Sequence, residues 1–360
     1  MKCLKETVNR PYKICIAQDF NGLSSLVSQV IRPSKICVIT DSHVAPFYLE
    51  AVKRELAPLA PVVEATFEAG EASKNSETVT QLYEHLIAHQ LDRSSLIVAL
   101  GGGVVGDMAG FVAATYMRGV AFIQVPTTVL AQNDSSIGGK VGIDFMTYKN
   151  MVGAFYNPLL VYSNVGTLQS LPKREMIGGL AEAIKHGIIG NKELFELMKE
   201  RRQELLAGDI TTFAEMTEIS CGVKCQVVEE DQMEQGLRKI LNFGHTLGHA
   251  IETLSHFTYS HGESVAYGMV MAAFISFKRG YLEQDILKEI IDVCRSFGLL
   301  EPIQSFEATE VWDSMSHDKK KQHGQIAFIL LRHIGEPLIV RDVNFEEVKE
   351  ALAFIEETCR

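Results

Sequence analysis

Three histidines and one glutamate carry the most specific chemistry in the chain. His245 and His249 stand one helical turn apart in His245-Thr246-Leu247-Gly248-His249, and His261 follows in His261-Gly262-Glu263. Upstream, Glu182 lies in an otherwise apolar helical stretch with Lys185 three residues on. A carboxylate with imidazoles and no thiolate suits Zn²⁺ or a similar divalent ion that keeps an open position for substrate. The i,i+4 spacing makes His245 and His249 the first choice of ligand pair, with His261 joining them or replacing one. Thr246 excludes the HExxH metalloprotease pattern, because no general base follows the first histidine. Lys224, Arg238 and Asn242 add an anion-binding character that a simple zinc hydrolase does not need.

A second constellation is Gly101-Gly102-Gly103-Val104-Val105-Gly106-Asp107, a G-x-G-x-x-G run between a strand-like and a helix-like segment. Glycines there let the backbone approach a pyrophosphate, and the helix that follows offers free N–H donors to it. The acidic residue that usually follows about 20 positions later is replaced by the apolar Phe122 to Val125. Asp41, closing an upstream strand, is the better ribose ligand, and an acid there favours NAD over NADP.

Pro126 to Asn157 mixes hydroxyls, glycines, Asp134, Lys140, Lys149 and Asn150 with apolar Leu130, Ile137, Val141, Ile143, Met151 and Phe155. That mixture predicts an ordered, loop-rich segment at a site. Thr127 and Thr128 follow a strand end, where open α/β sheets bind ligands.

The elements that must position these residues divide the chain in two. Its 360 residues suggest about two domains. Lys35 to Asp41, Ser95 to Leu100 and Ala121 to Val125 read as buried parallel strands, separated by helical patterns such as Glu77 to Gln90. This alternation predicts an α/β, Rossmann-like parallel-sheet domain over residues 1–170. From Pro172 the texture turns helical, over 176–189, 192–206, 212–229, 241–254, 264–279 and 285–297, with a strand over 326–331. A mainly α-helical domain over 171–360 is expected to hold metal and substrate.

Composition narrows the classes further. The 34 Lys+Arg against 45 Asp+Glu give a net charge of −11, which excludes a general nucleic-acid or anionic-membrane binder. Ser264 to Phe277 is too short and too interrupted for a membrane span, and the first residues show no secretory h-region, so a cytoplasmic protein is expected. Seven cysteines without a CxxC pair argue against a disulfide framework.

Taken together, the motifs GEASK (70–74), GGGVVGDMAGFVAATYMRG (101–119), VPTTVLAQNDSSIGGKVGID (125–144), KNMVGAFYNP (149–158), GGLAEAIKHG (178–187), LNFGHTLGHAIE (241–252), HGESVAYGM (261–269) and DKK (318–320) resemble the 3-dehydroquinate synthase family. The resemblance runs from about residue 35 to 340. It implies NAD and a catalytic Zn²⁺ or Co²⁺. Glu182, His245 and His261 are then the metal ligands, and His249 moves to the substrate phosphate. Lys140, Asn150, Asn242 and Lys320 (or Lys319) would contact substrate phosphate or hydroxyls, and Arg118 would come from the neighbouring subunit of a homodimer. Lys224 and Arg238 would hold a substrate carboxylate, and Asp134 and Lys185 the reacting hydroxyls. Asp41, Glu71, Lys74, Gly103, Asp107, Thr127, Thr128, Lys140 and Lys149 would surround NAD.

The implied reaction takes 3-deoxy-D-arabino-heptulosonate 7-phosphate to 3-dehydroquinate and phosphate. It proceeds by transient oxidation, β-elimination, re-reduction, ring opening and aldol closure. The chain departs from the family at Asn133, where an apolar residue is common, at Val141 for Thr, at Asp144 for Asn and at His186 for Tyr. No implied catalytic group is lost. The alternatives are another sugar-phosphate cyclase of the 2-deoxy-scyllo-inosose synthase type, a metal-dependent alcohol or glycerol dehydrogenase, and an NAD-binding scaffold without catalysis.

Overall fold

Two strands show why the first half folds as it does. In Ile36–Asp41 the side chains of Ile36 and Val38 enter one hydrophobic core, and those of Cys37 and Ile39 enter another. Leu96–Gly101 divides in the same way, Leu96, Val98 and Leu100 against Ile97 and Ala99. A strand buried on both faces reads as a continuous apolar run, as expected of a parallel sheet with helices on each side.

A computed structural model describes residues 2–5, 11–146, 148–256, 258–319 and 326–360. Contacts divide the chain into Met1–Leu171 and Pro172–Arg360. The first unit contains β1 (Lys2–Lys5), β2 (Lys13–Ala17), β3 (Ile36–Asp41), β4 (Val62–Phe67), β5 (Leu96–Gly101), β6 (Ala121–Pro126), β7 (Lys140–Phe145), β8 (Tyr148–Phe155) and β9 (Leu160–Asn164). Seven of these form one sheet in the order β1-β2-β9-β6-β5-β3-β4, all parallel except the β1–β2 pair. Helices α1 (Leu23–Val30) and α2 (Ala45–Leu56) cover one face, and α3 (Ser76–Ala88) and α4 (Gly103–Thr115) the other. The polar segment expected to be loop-rich begins as a π-turn over Ala131–Ser135 and continues as the antiparallel β7–β8 hairpin. β7 turns Val141 and Ile143 into the core beneath α4.

The second unit contains α5 (Lys173–Gly190), α6 (Lys192–Glu200), α7 (Arg202–Leu206), α8 (Ile210–Glu230), α9 (His245–Leu254), α10 (His261–Lys278), α11 (Gln284–Ser296), α12 (Ala308–Lys319), a β10–β11 hairpin (Phe328–His333 and Glu336–Val340) and α13 (Phe345–Thr358). The helix expected over 192–206 is broken at Arg201, and the one expected over 241–254 begins at His245 after a 3₁₀ segment, Leu237–Asn242. α10 is buried nearly all round, the condition of a central helix in a bundle. No helix among the described residues is long and apolar enough to cross a membrane. Cys15, Cys37, Cys221, Cys225, Cys294 and Cys359 are buried and not joined in disulfides.

Candidate active site

The candidate residues fall into two groups, one in each unit. In the first unit the glycine run turns from β5 into α4. A Cβ on Gly101 would lie 2.5 Å from the Val105 side chain, one on Gly103 3.2 Å from Ser135 Oγ, and one on Gly106 2.7 Å from Gln124 Oε1. The first and third glycines are therefore required by packing, and the second keeps the turn clear. Gly102, the N-cap residue just before α4, offers no side-chain cap, so the N–H groups of that first turn remain donors for an anion.

Around this turn several expected cofactor residues are brought together. Lys74 is buried with its ammonium 2.7 Å from Asp107, 3.9 Å from Glu71 and hydrogen-bonded to Asn150 Oδ1. Burial alone would lower the Lys74 pKa, but Asp107 and Glu71 outweigh it and hold the ammonium charged. Asn150, expected at the substrate, thus shares a cluster with the expected NAD residues. Its backbone has a positive φ of 53° and its N–H donates to Asp144 Oδ1. Asp41 uses Oδ1 to accept the N–H groups of His43 and Val44 ahead of α2, and Oδ2 takes no part in those bonds. Thr127 is buried and donates its N–H to Gly101 O, and Thr128 Oγ1 accepts from Ala131 N at the π-turn that carries Asp134. Lys140, Lys149 and Arg118 are exposed.

In the second unit Glu182 comes from the middle of α5, and His245 and His261 are the first residues of α9 and α10. Glycines let these helices touch backbone to backbone: a Cβ on Gly262 would meet Gly178 O at 2.2 Å, and one on Gly268 would meet Gly244 O at 1.8 Å. Gly244 also has a φ of 80°, which a side chain rarely adopts. Those approaches bring His245 Nε2 to 3.4 Å and His261 Nε2 to 3.5 Å from Glu182 Oε1. The expected i,i+4 pair, His245 and His249, is not brought together beside Glu182. His249 turns Nδ1 to Glu252 at 3.0 Å, and its neighbour from α10 takes its place beside Glu182.

The donor set fits a divalent cation. The Glu182 carboxylate is fully buried and neither oxygen accepts a hydrogen bond, although Lys185 pairs with it one turn away. Burial would raise its pKa, but Lys185 and His245 hold it well below the usual carboxylate range. Burial and the Lys185 charge push His245 down to about 4, leaving a neutral ring. Its Nδ1 donates to Phe243 O, which leaves the Nε2 lone pair facing Glu182. For His261 burial opposes charge, but Glu182 and Glu252 raise it to about 9.

Close by, the loop after α8 is organised by Asp231, whose carboxylate accepts the N–H groups of Gln235, Gly236 and Arg238. Lys224 and Arg238 are buried cations, and Arg238 Nη1 donates to Gln232 O. Asn242 Nδ2 donates to Glu234 Oε1 at 3.0 Å, and Glu234 has a positive φ of 56°. Asn242, His245, Thr246, His249 and Ser314 line a cavity of about 270 Å³. Glu234 and Glu252 are missing from the sequence reading. Glu252 had a signal, since it falls on the stripe of His245 and His249 at i+7 and i+3. Glu234 had none. Lys320 lies outside the described residues, and Lys319 ends α12.

Residues 64–178 match the family described as 3-dehydroquinate synthase N-terminal, and residues 179–321 the one described as 3-dehydroquinate synthase C-terminal. A 3-dehydroquinate synthase of Desulforamulus reducens is 44% identical over 349 residues, covering 96% of this chain and 97% of that protein. Among solved structures, a 2-deoxy-scyllo-inosose synthase complexed with carbaglucose-6-phosphate, NAD⁺ and Co²⁺ superposes with a TM-score of 0.86 at 27% identity, over 99% of this chain and 100% of that one. The 2-epi-5-epi-valiolone synthase of Streptomyces hygroscopicus subsp. jinggangensis, with NAD⁺ and Zn²⁺ bound, gives 0.88 at 25% identity and 99% of both chains.

Proposed function

The chain belongs to the 3-dehydroquinate synthase family, and from that premise we propose that it converts 3-deoxy-D-arabino-heptulosonate 7-phosphate into 3-dehydroquinate and phosphate, using NAD and a divalent cation, Zn²⁺ or Co²⁺. The observation that carries the reading is a fully buried carboxylate, Glu182, without hydrogen bonds and faced by two imidazole Nε2 atoms. When bound, NAD supplies reversible hydride acceptance at a ring carbinol, and the cation supplies polarisation of that carbinol oxygen.

Glu182, His245 and His261 hold the cation. Asp41, Glu71, Lys74, Gly103, Asp107, Thr127, Thr128, Lys140 and Lys149 bind the dinucleotide, its pyrophosphate against the free N–H groups of α4. Lys224 and Arg238 receive the substrate carboxylate, two cations whose burial makes a charged partner worth more than it would be in water. Lys140, Asn150, Asn242, His249 and Lys320 (or Lys319) hold phosphate and hydroxyls. Lys185 and Asp134 orient the reacting hydroxyls.

Oxidation of the carbinol acidifies the neighbouring C–H. That proton passes to a phosphate oxygen as the C–O bond breaks and phosphate leaves with the bonding pair. Reduction, ring opening and intramolecular aldol closure follow, with the chain holding geometry and excluding water.

The same reading makes the working unit a homodimer, in which Arg118 serves the neighbouring copy. Its support is an exposed Arg118 held at a φ of 67° beside Met117 at 50°. The β7–β8 hairpin also exposes Phe145, Met146, Tyr148, Met151 and Phe155, an apolar face suited to burial against a partner. The test is NAD stoichiometry. Substrate turnover with a trace of NAD⁺ gives many products per cofactor, whereas one NADH accumulating per substrate places the chain with the alcohol dehydrogenases.

A further inference from the structure

Glu252 has none of the roles assigned above, yet it stands between two histidines that have different ones. It is buried near the end of α9, and its Oε2 lies 3.0 Å from His249 Nδ1 and 3.7 Å from His261 Nδ1. An ionised carboxylate only accepts, so His249 Nδ1 carries the proton of that bond and Nε2 is the nitrogen left for another partner. The His261 ring is flanked on both edges, with Glu252 on the Nδ1 side and Glu182 3.5 Å from Nε2. His245 has a different orienting partner, the carbonyl of Phe243. Glu252 thus accepts a hydrogen bond from His249 and stands within ion-pair distance of His261, one carboxylate oxygen beside two rings.

We propose that Glu252 is a positioning residue shared by the cation site and the phosphate site. It holds His261 with Nε2 toward Glu182, and His249 with Nε2 toward substrate. This inference rests on the metal and phosphate roles proposed above. An acceptor on the remote nitrogen of a ligating histidine fixes the tautomer and makes the other nitrogen more basic. Because a single oxygen faces both rings, the two sites are linked. A cation at His261 Nε2 makes Nδ1–H a stronger donor and draws on the oxygen that orients His249. Such a coupling must be reciprocal, so phosphate bound at His249 changes cation affinity.

The test compares wild type with Glu252→Gln, which keeps the size of the side chain. Zn²⁺ affinity is read by competition with a chromophoric chelator, Co²⁺ coordination by its visible spectrum, and anion affinity with inorganic phosphate. Glu252→Gln weakens Zn²⁺ about 10–100-fold, shifts the Co²⁺ bands, weakens phosphate and leaves NAD affinity unchanged. Zn²⁺ affinity within twofold of wild type with an unshifted spectrum overturns the proposal. A wild-type chain that takes up neither Zn²⁺ nor Co²⁺ overturns the metal reading instead. A measurement on wild type is independent of the variant's folding: ¹⁵N NMR of the Zn²⁺-loaded protein finds His249 and His261 both protonated at Nδ1. Protonation of either at Nε2 overturns the proposal.

Discussion

Lys185 pairs with Glu182 across one turn of α5, and the two side chains are 2% and 0% exposed. Breaking a buried pair leaves the surviving charge uncompensated, at a cost of about 3–5 kcal/mol. Glu182→Gln is therefore expected to abolish Zn²⁺ uptake and to lower unfolding stability by that order. Lys185→Met in the same chain recovers most of the stability and none of the metal binding. Denaturant melts and metal titration of the single and double variants check both halves.

Gly262 is expected to be as sensitive as a ligand. A methyl group there meets the Gly178 backbone at 2.2–2.6 Å, and backbone cannot swing aside as a side chain can. Gly262→Ala pushes α10 from α5 and moves His261 with it. Equilibrium dialysis should show Zn²⁺ affinity falling at least as far as for loss of an orienting group, about 10–100-fold, with lowered stability. Unchanged affinity contradicts the packing argument.

The Lys74–Asp107 pair is the matching test of the proposed dinucleotide site. Asp107→Asn leaves a buried ammonium with weaker partners, and the loss is about 3–5 kcal/mol of stability together with weaker NAD binding. Isothermal titration with NAD⁺ and a urea melt are the measurements. Lys224→Ala, by contrast, should weaken the sugar-acid substrate and spare NAD.

Much of this arrangement is legible in the residues, and the exceptions have physical causes. β3 and β5 read as strands because both faces are buried, and the GxGxxG run follows β5 directly. The β7–β8 hairpin escapes because its exposed residues mix Lys140, Lys149 and Asn150 with Met151 and Phe155, so no regular polar alternation marks it. The placing of His261, in place of His249, beside Glu182 with His245 is set by backbone contact at Gly262–Gly178 and Gly268–Gly244, which sequence spacing does not encode; the residues alone left His261 joining the pair or replacing one of it, and the family resemblance chose between these. Glu234 reaches Asn242 through a residue at positive φ, and nothing in the local sequence signals it.

Subunit exchange tests Arg118. Arg118→Ala and Glu182→Gln are each expected to be inactive as homodimers. In a hybrid, one site combines an intact metal group with Arg118 from the other copy. Random mixing then restores up to about a quarter of wild-type activity, since half the dimers are hybrids with one good site of two. No recovery contradicts the shared-site reading.

Acid stability should report Arg279, which is 14% exposed and bonds Glu347 Oε1 and Oε2 at 2.6 and 2.9 Å. Chiefly because of Arg279, the Glu347 carboxyl lies below its ordinary value. A depressed folded pKa contributes stability above the unfolded value, about 4.3, and that contribution is lost as pH falls through the folded one. Wild type should exceed Arg279→Met by about 1.5–3 kcal/mol at neutral pH, and the gap should narrow below about pH 4.

The most direct measurement is product analysis after incubating the purified protein with 3-deoxy-D-arabino-heptulosonate 7-phosphate, NAD⁺ and Zn²⁺ or Co²⁺. The expected result is one phosphate and one 3-dehydroquinate per substrate consumed, without net NADH. A metal-replete, NAD-bound protein that releases neither product contradicts the account.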